Sequence, residues 1–199
     1  MTDPILLASA STIRADLLRS ANVTFEVEPA RVDEDAVREA LRIEAASPRE
    51  VADTLAEMKA LKVSSRHPEA MVIGCDQVLS FDGQLMSKVA SPEAALAQLR
   101  ALRGGMHQLI SAAVVCQGGL PQWRHVGVAR MHMREVSNAY LEDYVARTWD
   151  EIRHCVGCYQ VEAEGVRLFH RIEGSLFDVQ GLPLLELLSW LVTRKVIDG

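Results

Sequence analysis

The sequence predicts an α/β fold in one domain spanning residues 1–199, with a mixed, twisted sheet and flanking helices. Three observations carry this reading. Short apolar runs with strand character alternate with segments of helical periodicity. Two helix starts are written as Ser-Pro dipeptides at positions 47 and 91. Two strand-like runs bracket Gly118-Gly119 as an antiparallel hairpin within this alternation. No linker, internal repeat or low-complexity tract divides the chain, and 199 residues suffice for one sizeable core.

Residues 4–8 (PILLA) are a short apolar run, and residues 15–19 (ADLLR) have helical spacing, which gives strand, turn and helix. Residues 24–28 (TFEVE) alternate as a half-buried strand; Pro29 closes it, and the acids of residues 31–35 (RVDED) are placed on a loop. Ser47-Pro48-Arg49-Glu50 then opens a helix, with Ser as N-cap, Pro at its first position and Glu50 reaching back as a capping box. This helix runs to about Val63, with Val51, Leu55 and Met58 on its apolar face and Lys59 at the edge of that face.

In residues 71–83 (MVIGCDQVLSFDG), a buried strand is followed by Asp76, a turn at Asp82-Gly83 and then Lys88. Ser91-Pro92 caps the next helix and Gly104-Gly105 ends it. Residues 109–115 and 123–133 form the hairpin strands, both buried. Ser137 caps a helix through Arg147, residues 159–161 and 166–169 read as strands, and Pro183 starts the last helix.

Composition narrows the function. There are 27 Asp and Glu against 21 Lys and Arg, a net charge of -6, which argues against a broad polyanion-binding surface. Aromatic residues make up 5%, too few for base-stacking platforms, so no nucleic-acid partner is expected. A small anionic ligand held by a few local cations fits better. The start MTDPILLASAS has no basic segment followed by an export core, and the apolar tract LPLLELLSWLV is broken by Glu186 and is shorter than the roughly 20 residues that span a bilayer. A cytoplasmic protein without a membrane partner is therefore expected.

The cysteines at 75, 116, 155 and 158 read as reduced thiols. The Cys155–Cys158 spacing would need a second pair or well-placed histidines to hold zinc. The histidines at 107, 125, 132, 154 and 170 lack HxxxH spacing and read as core or surface groups.

Polar residues just after strands are the candidates for chemistry in an open α/β sheet. Ser9 to Arg14 passes from strand to helix; it is either a phosphate-binding turn with Arg14 as its cation, or a helix cap beside a surface arginine. Asp76, an acid after a buried run, must be hydrogen-bonded, paired or coordinated. A general base, a metal ligand and a turn acid satisfying backbone amides all meet that requirement.

The segments ILLASAS with Arg14, VDED, AEMKA, VIGCDQV, DGQLMSK and QGLPL, in this order and spacing, resemble the Maf family of nucleoside triphosphate pyrophosphatases. The resemblance implies a two-lobed α/β fold around a nucleotide-binding cleft, as in inosine triphosphatases, often as a homodimer. It also implies metal-dependent hydrolysis of a nucleotide to its monophosphate and pyrophosphate. By matching motif, Asp76 is the proton acceptor, and Ser9, Arg14, Glu34, Lys59 and Lys88 surround the phosphates and the metal. Glu34 and Asp76 are the implied ligands of Mg²⁺ or Mn²⁺. The chain departs from the family pattern at Thr12, Ile13 and Val89, and Cys75 stands where the family has a small residue.

Ile13, Gln77 and Glu162 fall at positions that differ between subgroups. Gln77 and Glu162 resemble the subgroup acting on 7-methyl-GTP. A carboxylate at Glu162 can accept from both N1–H and the 2-amino group of guanine, and a methylated, positively charged base favours a nearby anion. A dTTP or UTP pyrophosphatase, and a nucleotide-binding regulator of septum formation with little turnover, are the alternatives.

Overall fold

The computed structural model describes residues 3–198; Met1, Thr2 and Gly199 of the expected single-domain span lie outside them. The strands are β1 (Ile5–Leu7), β2 (Glu26–Val27), β3 (Met71–Phe81), β4 (Gln84–Met86), β5 (Met106–Gln117), β6 (Leu120–Met133) and β7 (Phe169–Glu173). They form one mixed sheet in the order β2-β1-β3-β5-β6-β7, with β4 paired to β3 off that path. β1 runs parallel to β2 and β3, and every other pairing is antiparallel. The helices are α1 (Thr12–Ser20), α2 (Glu34–Ile43), α3 (Pro48–Ser64), α4 (Pro92–Leu102), α5 (Asn138–Ile152), α6 (Leu176–Val179) and α7 (Leu184–Thr193).

Local chemistry sets the best-defined boundaries. The Ser47/Glu50 capping box starts α3, Ser91 caps α4, and Ser137 caps α5, which runs five residues beyond the expected Arg147 to Ile152. Gly118 and Gly119 take the positive φ values of 58° and 73° that the β5–β6 turn requires. β5 is buried, whereas β6 is exposed at its start, Leu120–Gln122, and buried mainly towards its end.

Four expectations are corrected. Residues 31–35 are not all loop: Asp33 Oδ1 accepts from the Ala36 amide at 3.1 Å and caps α2, so Glu34 opens a helix. α2 has no buried residue, and its weak apolar signal comes from Val37 and Leu41, partly packed towards α3. The strand expected at 24–28 is the two-residue, exposed edge strand β2. Residues 159–161 are not a strand: Cys158 takes φ 57°, Tyr159 and Gln160 are irregular, residues 161–163 form a turn, and residues 164–168 are a 3-10 helix ahead of β7. In α3, Met58 is 37% exposed while Lys59 is 7% exposed, since the buried stripe follows Ala52, Leu55, Ala56, Lys59, Ala60 and Val63.

At the β1/β3 end, the core lies on both sheet faces. One cluster joins α3 to Val72, Val78 and Ala112; the other joins α1 and α7 to Ile73, Cys75 and Val115. A third, under α4 and α5, covers the far ends of β3, β5 and β6. α7 contributes Leu187 and Leu191 to the core, and no helix among the described residues is long and apolar enough to cross a membrane. α3 lies so close to β3 that a Cβ on Gly74 would come within 2.2 Å of Ala56 O and 2.6 Å of Ala60 N.

His107 on β5 is buried against Phe169 and shares a 2.6 Å hydrogen bond with the Tyr159 hydroxyl. Burial, with a smaller contribution from His132, pushes its pKa down to about 4 from 6.5. Its folded value is depressed, so its contribution to stability is fully present above the unfolded value and is lost as pH falls towards the folded one. Between pH 7.5 and 4.5, the wild type should therefore lose on the order of 2 kcal/mol more than His107→Gln in urea unfolding. Equal losses in the two proteins would show that His107 is not held neutral by burial.

Candidate active site

β3 is paired with β5 along one flank, from Val72 to Ser80. On its other flank, β1 covers only Met71–Ile73 and β4 only Leu79–Phe81. Residues 74–78 therefore face a gap between two strands. Asp76 lies within this gap, mid-strand rather than after a strand as the sequence suggested. Side chains alternate across the sheet, so Asp76 points towards α3 and Gln77 towards α6.

Asp76 is 5% exposed at its side chain, and both its oxygens are paired. Lys59 Nζ donates to Oδ1 at 2.7 Å, and Arg38 Nη2 donates to Oδ2 at 3.2 Å. Glu34 closes the network, with Oε1 2.7 Å from Lys59 Nζ and Oε2 3.7 Å from Arg38 Nη2. Burial alone would raise the Glu34 pKa, but the Lys59 hydrogen bond and the charges of Lys59, Lys88 and Arg38 hold it below its ordinary value. A buried carboxylate beside a buried ammonium is sustained by this mutual compensation.

Sequence reasoning missed Arg38. The signal was its spacing, four residues after Glu34 on a helical face, which has meaning only once residues 34–43 are read as helix.

Arg14 is held by the protein itself. Its Nε donates to Gly181 O at 2.8 Å, and its Nη1 donates to Ser9 Oγ at 3.2 Å and Cys75 O at 3.0 Å. It thereby ties the start of α1 and the QGLPL turn to the free flank of β3. Gly181 sits at φ 93°, with the guanidinium 3.1 Å from where a Cβ would lie. The two N–H groups of Arg14 Nη2 have no protein partner among the described residues. Ser11 caps α1, and Ser9 lies on the same cleft wall as Lys88. Lys88 is exposed at the rim and makes no ion pair within 4 Å among the described residues.

The same cleft continues between Ile13 on α1 and the turn carrying Tyr159, Gln160 and Glu162, where Glu162 is exposed. The structure thus gathers Arg14, Glu34, Lys59, Asp76, Gln77, Lys88, Ile13 and Glu162 around one cleft, with Ser9 on its adjoining wall. Cys155 and Cys158 are free thiols in this turn, and burial pushes the Cys158 thiol up to about 12.

Glu34 Oε2 and Asp76 Oδ2 share one cation, Arg38, across a gap open to the cleft. Among the described residues, no group of three His, Cys, Asp or Glu converges. Two hard carboxylates with room for phosphate and water oxygens suit Mg²⁺ or Mn²⁺, which take few protein ligands when a nucleotide supplies others.

The profile of the Maf-like protein family matches residues 4–194. This chain belongs to the Maf family. It is 58% identical over 198 residues, 100% of each chain, to a Ruegeria pomeroyi protein named nucleoside triphosphate pyrophosphatase. A Caulobacter vibrioides relative of that name is 46% identical over 188 residues, covering 94% of each chain. A Brucella abortus relative, named 7-methyl-GTP pyrophosphatase, is 44% identical over 199 residues, 100% of each chain.

On the α6 side of the Maf cleft, Gln77 Nε2 faces Ser111 Oγ at 3.0 Å and the carbonyls of Asp178 and Val179 at 2.9 Å each. Ser111 spends its own proton on Asp178 O at 2.6 Å. Backbone carbonyls only accept, so the amide nitrogen must point at them. Gln77 Oε1, without a protein partner among the described residues, is left for the cleft. Gln77 therefore presents an acceptor and, like Glu162, no donor.

Proposed function

We propose that this Maf protein hydrolyses a nucleoside triphosphate between its α and β phosphates, with 7-methyl-GTP as the preferred substrate and Mg²⁺ or Mn²⁺ as cofactor. One juxtaposition carries the reading. The Asp76–Lys59–Glu34 cluster and the acceptors Gln77 and Glu162 line one cleft, so a phosphate chain and a purine edge can be held together. The names of the relatives support hydrolysis of a nucleoside triphosphate, and the Brucella relative's name supports the methylated guanine base.

Lys59 fixes one oxygen of Asp76 and so sets the carboxylate plane, which lets this carboxylate orient a water and take its proton. Water oxygen adds to the α-phosphorus as its proton passes to Asp76, and the bond to the bridging oxygen breaks to release pyrophosphate. A divalent cation, when bound, neutralises the triphosphate and polarises the attacking water. Arg14 Nη2 and Lys88 add positive charge from the two rims, where the leaving phosphates gather it.

At the base, Glu162 accepts from N1–H and the 2-amino group of guanine, Gln77 Oε1 offers a further acceptor, and Ile13 supplies an apolar surface. A nucleotide panel with Mg²⁺ tests this reading, with products resolved as pyrophosphate or orthophosphate. The highest kcat/KM is expected for 7-methyl-GTP, and Glu162→Gln should lower it about tenfold or more for that substrate while leaving UTP unchanged. Faster hydrolysis of dTTP or UTP at equal subsaturating concentration would sink the base assignment. Binding without pyrophosphate release would support a regulator instead.

A further inference from the structure

We infer that Arg38 is the resident counter-ion of Glu34 and Asp76 and is displaced when a divalent cation binds, so that the protein's own guanidinium competes with the metal. This rests on the metal requirement proposed above. The four carboxylate oxygens are divided between two side-chain cations. Lys59 takes Asp76 Oδ1 and Glu34 Oε1, both at 2.7 Å, while Arg38 Nη2 stands 3.2 Å from Asp76 Oδ2 and 3.7 Å from Glu34 Oε2.

These cations are not equivalent. Lys59 is 9% exposed at its side chain and sits on the core helix α3. Arg38 is 24% exposed, makes longer contacts, and projects from α2, which has no buried residue. Arg38 makes no other hydrogen bond among the described residues. It is the cation that can leave.

Asp76 and Glu34 would hold a divalent ion through the carboxylate oxygens that Arg38 now faces, since such an ion takes oxygen ligands at about 2.1 Å. That position is incompatible with a guanidinium nitrogen on the same two oxygens, for lack of space and because the charges repel. The exchange also changes the charge of the site. Two carboxylates facing Lys59 and Arg38 are neutral together; with a dication in place of the guanidinium, one net positive charge faces the triphosphate. Metal loading thereby converts a self-neutralised cluster into an anion-binding one.

The test is a Mn²⁺ titration without nucleotide, following free Mn²⁺ by electron paramagnetic resonance. Wild type is compared with Arg38→Gln and with Arg42→Gln, an exposed control one turn further along α2 whose partner is Glu39. Arg38→Gln should bind Mn²⁺ about fivefold or more tightly than wild type, and Arg42→Gln should match wild type. In thermal melts, Arg38→Gln should lie below wild type in EDTA and gain more from Mn²⁺. If Arg38→Gln does not fold, Arg38→Lys, which keeps the charge on a shorter reach, should still show tighter Mn²⁺ binding. Unchanged or weaker Mn²⁺ binding in the folded variant overturns the inference. Pyrophosphate release measured on the same wild-type sample separates the two failures. Release that needs the metal, with no shift in affinity, sinks only the role of Arg38; release undiminished in EDTA sinks the metal requirement and this inference with it.

Discussion

Asp76→Asn is expected to reduce kcat for pyrophosphate release by about 10²-fold or more, because the amide keeps the shape of the side chain but cannot take a proton. The structure adds a cost in stability. Lys59 is buried with Asp76 and Glu34 as its ion-pair partners, and the substitution leaves it with Glu34 alone. Breaking a buried pair costs about 3–5 kcal/mol, and the remaining Glu34 contact places this case near the lower figure. That corresponds to a Tm lower by roughly 6–12 °C in a protein of this length. Circular dichroism at 25 °C alongside single-turnover kinetics separates the two effects. A folded variant with near-native turnover would remove Asp76 from the chemistry.

Gly74→Ala is expected to damage both stability and turnover, although it adds one methyl group and touches no proposed ligand. The new Cβ would meet Ala56 O at 2.2 Å, Ala60 N at 2.6 Å and Ala60 Cβ at 2.8 Å, two of which are backbone atoms that no rotamer change can move. Relief requires α3 to shift away from β3, and Lys59 lies on α3 between those two alanines. Overpacking of this kind costs about 1–3 kcal/mol, and more where backbone is struck. The 2.7 Å Lys59–Asp76 contact would lengthen with the shift. A loss of kcat persisting well below the lowered Tm is the expected signature. A variant less stable but fully active would show that the spacing of helix and strand does not set the site geometry.

Elements announced by local chemistry were legible in the sequence. The reciprocal Ser47/Glu50 cap, the Ser91-Pro92 start and the Gly118-Gly119 turn each depend on residues within a few positions of one another. What escaped depends on distant partners. Asp76 looked like the end of a strand because an unpaired acid inside one is costly, yet β3 runs through it to Phe81 since Lys59 and Arg38, on two other helices, compensate the charge. α2 was hidden because its helix rests on a cap and two half-packed apolar residues rather than on a buried face. The residues singled out by motif do lie around one cleft, but the motifs said nothing of their bonds. Arg14 illustrates this: expected at a phosphate, it spends three donors on the protein's own oxygens.

The gap in the sheet has a mechanical side. β3 is laced to β5 by nine successive residue pairs without a register shift, whereas the β5–β6 ladder is interrupted between Val115 and Cys116. A strand clamped so evenly along one edge behaves as a stiff rail, and the acid mounted on it is a fixed reference point. Around the unclamped edge lie the start of α1, the surface helix α2 and, across the cleft, the turn after α5. None of these shares a rung with the β3–β5 ladder, so a displacement of α2 or of that turn would leave the strand that carries Asp76 in place.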